Sequence, residues 1–220
     1  MDKIISQIER IREINIQNKL VIFVGAGVSK NSGVCSWWEL VREIAKEIGY
    51  NDICEKCTIK YEHYAEGEEG SDFCSSNSSC YWKYNYSADE FLKIPQYFYD
   101  TKGKDEYYNF LKKKFCKSYA SNIIDELIIQ LNPEHIVTTN YDHLIEDVKH
   151  PYVSNYTVIE CDGDLLEKNG RRYIIKMHGD IDKLEEIVLK EDDYLKYSQN
   201  HILIETYIKS LLIDKTFLFV

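Results

Sequence analysis

Residues 20–29, Leu-Val-Ile-Phe-Val-Gly-Ala-Gly-Val-Ser, constrain what this chain can fold into more than any other stretch. Apolar residues, β-branched ones among them, run unbroken from Leu20 to Val24. That is the pattern of a strand covered on both faces, as in a parallel sheet. Gly25 and Gly27 let the chain turn sharply and bring bare backbone close to a ligand. A helix starting there would aim free amides and the positive end of its dipole at that ligand, which suits a phosphate. The Gly-x-Gly-x-x-Gly pattern of dinucleotide-binding turns is not met, because Lys30 stands where its third glycine would be. A tight strand-to-helix turn with no ligand therefore stays open on this evidence alone.

The remaining chain supplies the partners such a strand needs. Ile4, Ile8, Ile11 and Ile14 recur at helical spacing before it and predict an amphipathic lead-in helix. Ser36-Trp37-Trp38-Glu39 has the form of a capping box, followed by Leu40, Val41, Ile44, Ala45 and Ile48 at helical spacing up to Gly49. Ser87-Ala88-Asp89-Glu90 is a second box, with Pro95 expected to kink or restart the helix behind it. Tyr107, Leu111, Phe115 and Tyr119 form one helical stripe; Ile124, Leu127, Ile128 and Leu131 form another. Residues 135–139, 156–159, 173–177 and 216–220 read as strands, 187–189 as a further short one, and Leu144, Ile145 and Val148 as a short helix. Helices are also expected over 192–197 and 202–212. Strands alternating with helices give an α/β fold: a Rossmann-like, doubly wound parallel sheet with an inserted smaller helical module. The expectation is one domain over 1–220, in which 50–132 holds a Cys-rich insertion and that module.

At 220 residues the chain can bury one substantial core. A net charge of −10 disfavours non-specific binding to nucleic acid or anionic membranes. No apolar run is long enough to span a bilayer and no signal-peptide pattern opens the chain, which places it in the cytoplasm. The 7 cysteines, an odd number without secretory context, argue against a disulfide framework. Cys54 and Cys57 have zinc-ligand spacing, but the sixteen residues to Cys74 and the five from there to Cys80 do not match a standard knuckle. A structural zinc on these four and free thiols in a loop both remain open.

Three strand ends carry unusual residues: Gly25–Ser29, Asn140–Asp142 and His178–Asp180. In an open parallel sheet ligands bind outside the carboxyl ends of the strands. Asn140 and Asp142 could simply cap a helix, and His178 could be a buried histidine bonded to a carbonyl. A histidine followed by glycine at such a strand end also fits a general base.

These residues resemble a family. Gly25-Ala26-Gly27-Val28-Ser29 with Gly33-Val34, then Thr138-Thr139-Asn140-Tyr141-Asp142, then Lys176-Met177-His178-Gly179-Asp180, are similar in order and rough spacing to the sirtuins. Trp37-Trp38, residues 89–96 and residues 188–194 resemble in particular the sirtuin-like branch at the N-termini of bacterial anti-phage defence proteins. The resemblance covers residues 15–220 apart from 50–86. It implies that Gly25, Ala26, Gly27 and Ser29 hold the pyrophosphate of NAD+, that Asn140 holds the nicotinamide ribose, and that His178 is the general base. It places Trp37, Thr139 and Asp142 among the NAD+-binding residues, Asp142 supporting the Asn loop or touching ribose.

Two departures bear on the reaction. Where deacylating sirtuins carry Asp-Phe-Arg this chain has Ser36, Trp37 and Trp38, and residues 180–189 lack the Cys-x-x-Cys pair expected there. The elements that receive an acyl-lysine peptide thus look absent or rebuilt. The expected function is NAD+ glycohydrolysis, depleting NAD+ as an abortive-infection effector, with NAD+ as substrate and no catalytic metal. A protein deacylase and a non-catalytic NAD+ or ADP-ribose sensor controlling a fused partner are the alternatives. Expected partners are NAD+, further copies of the full-length protein, and a phage protein acting on a C-terminal region beyond Val220, with no membrane and no direct nucleic-acid binding. The strand at 216–220 has nothing after it, so the chain is expected to be a fragment that binds NAD+ weakly by itself and self-associates.

Overall fold

The computed structural model describes residues 2–50, 86–115 and 117–220. In chain order the elements are α1 (Asp2–Ile16), β1 (Leu20–Val24), α2 (Ala26–Lys30), α3 (Trp37–Glu47), α4 (Ala88–Lys102), α5 (Lys104–Phe115), α6 (Ile123–Leu131), β2 (His135–Thr138), β3 (Tyr156–Ile159), α7 (Asp162–Glu167), β4 (Arg172–Lys176), α8 (Glu191–Leu195), α9 (Tyr197–Asn200), α10 (Ile202–Leu211) and β5 (Thr216–Phe219). The Cys-rich candidates Cys54, Cys57, Cys74 and Cys80 lie outside the described residues.

All five strands join one sheet in the order β3-β4-β2-β1-β5, and every pairing is parallel. Alternation along each strand separates two cores. Leu20, Ile22 and Val24 of β1 face one side with Ile136 and Ile174, packed against Val28, Ile128 and Ile129 and against Ile11 and Ile14 of α1. Val21, Val137, Ile159 and Ile175 face the other side, beneath Ile204, Tyr207, Ile208 and Leu211 of α10 and Leu165 of α7. Helices on both faces make the sheet doubly wound, as expected from the near-continuous apolar strands.

The chain divides into two compact units: 1–36 with 110–189 and 193–220, and 37–109 with 190–192. The first unit contains the sheet. It also contains α6, which sequence patterning grouped with the module at 50–132; its Ile128 and Ile129 belong to the sheet's core. In the second unit α3 and α4 pack together. The Ser87 box forms in full: Ser87 Oγ accepts from the Glu90 amide, and the Glu90 carboxylate accepts from the Ser87 amide at 2.7 Å. Gly49 ends α3 as expected, with φ +65°, while Gly49 N donates to Lys46 O and Tyr50 N to Ala45 O, a Schellman closure.

Several local expectations give way to packing. Helix α4 runs through Pro95 without restarting; the cost is one missing N–H in its ladder. Residues 144–147 form turns rather than a helix. Asp142 Oδ1 takes the Leu144 amide, and Pro151 opens a separate 3-10 turn at Pro151–Asn155. Residues 187–189 are buried but join no ladder: Val188 N donates to His178 O, and Leu189 N to Asp193 Oδ2. Helix α6 is rotated from its expected stripe, leaving Leu127 and Leu131 exposed while Ile129 is buried. Ile4 and Ile8 of α1 are likewise exposed, so only its second half carries the amphipathic role.

Candidate functional site

Strands β4, β2 and β1 are neighbours in the sheet, so their carboxyl ends bring His178, Asn140 and the Gly25–Ser29 turn to one edge. Gly25 is the extended N-cap of α2, with φ −100°, and Gly27 is not among the glycines with positive φ. The turn does not need glycine for backbone conformation, contrary to the sequence argument. The space its second use requires is present: a Cβ on Gly27 would meet nothing within 4 Å, and Ala26 and Gly27 are exposed. Room is left for a ligand against bare backbone. Helix α2 has only 5 residues, so a phosphate there would rely on its free first-turn amides more than on a long dipole.

Asn140 is held on this turn. Its Nδ2 donates to Ser29 Oγ at 2.8 Å and to Gly25 O at 3.2 Å. Its amide N donates to Thr138 Oγ1, which in turn donates to Val24 O, each at 3.0 Å. The side-chain oxygen Oδ1 is buried and has no hydrogen-bond partner. A buried acceptor left open in a fully oriented amide costs stability unless a donor arrives, and a ligand hydroxyl would supply one. Ser29 is buried and bonded to Asn140, so it positions the asparagine where the resemblance gave it to the phosphate. Thr139 is half-buried beside Asn140. Asp142 accepts the Leu144 amide at 3.1 Å within a turn, so it closes that turn and caps no helix there.

His178 follows β4. Its ring stands edge-on to Tyr194 and Tyr197, centroids 5.5 and 6.2 Å away. Burial, with a smaller push from His201, lowers its pKa to about 4. At neutral pH the imidazole therefore keeps a lone pair free to take a proton. Gly179 is required by the backbone: φ is +83°, and a Cβ would lie 3.0 Å from Glu186 O. Trp37 opens α3 in the second unit, where its ring lies 5.4 Å from Phe91.

Sequence reasoning missed two supports. Asn122 caps α6 in a box with Asp125 and donates through Nδ2 to Val28 O and Ser32 Oγ, tying α6 to the end of the glycine turn. Its signal was the Asn-x-x-Asp spacing ahead of an apolar stripe. The other is a cluster in which the buried Lys176 and Asp180 meet the partly exposed His143: Asp180 accepts from Lys176 Nζ and from His143 Nε2. Burial opposes ionisation of Asp180, yet those bonds hold its carboxyl well below the usual range. The Asp180 bond raises His143. Near them lies a cavity of about 340 Å³ lined by Val34, Phe115, Tyr119, Asp142, His143 and Asp182 among others.

Residues 134–220 match the family described as SIR2-like domain. Over 222 residues the chain is 35% identical to Defense-associated sirtuin 2 of Bacillus subtilis, an alignment covering 100% of this chain and 19% of that protein. It is 30% identical over 209 residues to the NAD(+) hydrolase ThsA of Cytobacillus dafuensis, covering 93% of this chain and 35% of that one. The ThsA of Enterococcus faecium is 30% identical over 219 residues, at 96% and 38% coverage. The chain thus spans between about a fifth and two fifths of the length of these curated relatives. Among the described residues no helix is long and apolar enough to cross a membrane.

Proposed function

The chain is sirtuin-like, similar to the corresponding segments of bacterial defence proteins, and on that premise we propose that it hydrolyses the nicotinamide–ribose bond of NAD+. The observation that carries the proposal is Asn140. Its amide is locked to the Gly25–Ser29 turn while its Oδ1 remains a buried, open acceptor, as a ribose hydroxyl requires. NAD+ lies with its pyrophosphate along Ala26 and Gly27, which are exposed, with open space where Gly27 lacks a side chain. Thr139 and Asp142 border the ribose. His178, neutral at working pH, takes a proton from water as that water attacks the ribose carbon. The carbon–nitrogen bond breaks, its electron pair neutralises the pyridinium nitrogen, and nicotinamide and ADP-ribose leave. An oxocarbenium-like centre of this kind needs a placed water, a base and shielding from bulk solvent. In the full-length protein this activity depletes NAD+ during phage infection.

The lack of a Cys-x-x-Cys pair in residues 180–189 and of Asp-Phe-Arg at 36–38 favours water over an acyl-lysine as the acceptor. Incubating the full-length protein with NAD+ alone and following nicotinamide by chromatography is the test. Stoichiometric nicotinamide and ADP-ribose support hydrolysis. Tight NAD+ binding with no turnover under any activating condition would make the domain a sensor instead.

A further inference from the structure

The proposed reaction leaves a buried ion cluster without a part. Lys176 closes β4 and is 0% exposed, and Asp180 is 2% exposed. The Lys176 ammonium donates to Tyr141 O at 3.1 Å and to Asp142 O at 2.7 Å. It also donates to Asp180 Oδ2 and stands 3.1 Å from Glu146 Oε1. Asp180 further accepts from His143 Nε2 at 2.9 Å and from the Asp182 amide at 2.8 Å. Taking both charges out of water is expensive, and apolar side chains of similar volume often stabilise a protein as well or better. Stability alone is therefore a poor account of the pair.

Position is a better one. Tyr141 and Asp142 directly follow Asn140, and Asp180 lies two residues past His178. One ammonium therefore bonds the loop after β2 and the loop after β4 together, through two carbonyls of the first and a carboxylate of the second. Two backbone bonds run alongside: Met177 N to Thr138 O at 2.8 Å and Ile181 N to Tyr141 O at 3.0 Å. Lys176 and the His143–Asp180 bond both join the loops through a charge. Only the Lys176 ammonium holds two carbonyls of one loop and the carboxylate of the other, and a charge-assisted bond is about twice as strong as a neutral one.

We infer that Lys176 and Asp180 are positioning residues for NAD+ cleavage, setting the spacing between the asparagine that holds the ribose and the histidine that takes the proton. The inference rests on the proposed function for its consequence, and on the distances above for the link itself. Neither residue need touch NAD+. Misplacing a reacting group by about 1 Å can cost about 100-fold in rate while ground-state binding changes little.

The test uses the full-length protein with Lys176→Met, Asp180→Asn and, as a control at an exposed ion pair, Lys209→Met. Nicotinamide release gives kcat and KM; hydrogen exchange follows the Ile181 and Met177 amides against the strand amides of Ile136 and Ile174. The expected result for Lys176→Met is kcat lower by about 10- to 100-fold with KM for NAD+ within about threefold. Exchange at Ile181 should quicken while the strand amides keep their protection. Asp180→Asn keeps one acceptor for the ammonium and should recover part of kcat. Unchanged kcat, or a loss matched by equally faster exchange in the strands, would overturn the inference and leave a merely structural pair. If the unsubstituted protein releases no nicotinamide, the reading of function fails, and unchanged Ile181 exchange in Lys176→Met would then overturn the link by itself.

Discussion

Replacing His178 by alanine removes the imidazole while leaving the Gly179 turn and the Asn140 network intact. Nicotinamide release should fall by about 10²–10⁴-fold, the usual cost of losing a general base, with NAD+ binding reduced much less. Asn140→Ala acts differently. It strips the donor from Ser29 Oγ and Gly25 O and removes the open acceptor at the same time, so both turnover and NAD+ affinity should drop. Ser29→Ala should cost only about 1 kcal/mol, several-fold in rate, because Gly25 O still holds the Asn140 amide. Near-normal turnover in both the His178 and the Asn140 variants would dismiss the site assignment. The residue types and their strand-end positions were visible in the sequence because both are local properties. The division of labour between Ser29 and Asn140 was not, since 111 residues separate the partners.

At the scale of elements, the loop after β4 is the most demanding piece. Gly179→Ala must hold an alanine at φ +83° with its Cβ 3.0 Å from a backbone oxygen. A destabilisation of about 2 kcal/mol is expected, read as a lower midpoint in chemical denaturation, with turnover falling further as the adjacent His178 shifts. A Gly179→Ala protein as stable and active as the original would mean that the turn relaxes easily. Ser87→Ala should cost about 1 kcal/mol through loss of the α4 box, and because Ser87 is on the surface, packing does not confuse the measurement. Caps such as Ser87–Glu90 were legible because they need only a four-residue spacing. The rotation of α6 was not, because Ile124 and Ile128 fit both possible stripes and the sheet chose between them.

For the whole molecule, stability should depend on pH through its histidines. His135 on β2 is stacked on Tyr173, its Nδ1 accepts from the Tyr173 amide, and its Nε2 meets Tyr207 Oη at 3.2 Å. Burial pushes its pKa down to about 4, Glu134 working against the shift and Lys215 and Arg172 with it. Since the unfolded chain binds that proton near pH 6.5, stability is full above that value and declines as pH falls towards 4, by about 3 kcal/mol at the end. His178 adds a loss of the same sign. His143 is raised by Asp180, so its share is present below pH 6.5 and fades as pH rises through its folded value. Urea midpoints from pH 8 to pH 4 should fall most steeply below 6.5, and His135→Gln, which keeps a donor and an acceptor, should flatten the slope; an unchanged slope would assign the acid sensitivity elsewhere. The sequence by itself determined the parallel sheet and the polar residue types that stand at its strand ends, since each follows from a run of side chains against a short chemical rule. The tertiary structure alone decided that Asn140 rests on Ser29, that Lys176 ties two loops, and that α6 belongs with the sheet. Those outcomes depend on which distant segments share a face, and local spacing carries no information about distant partners.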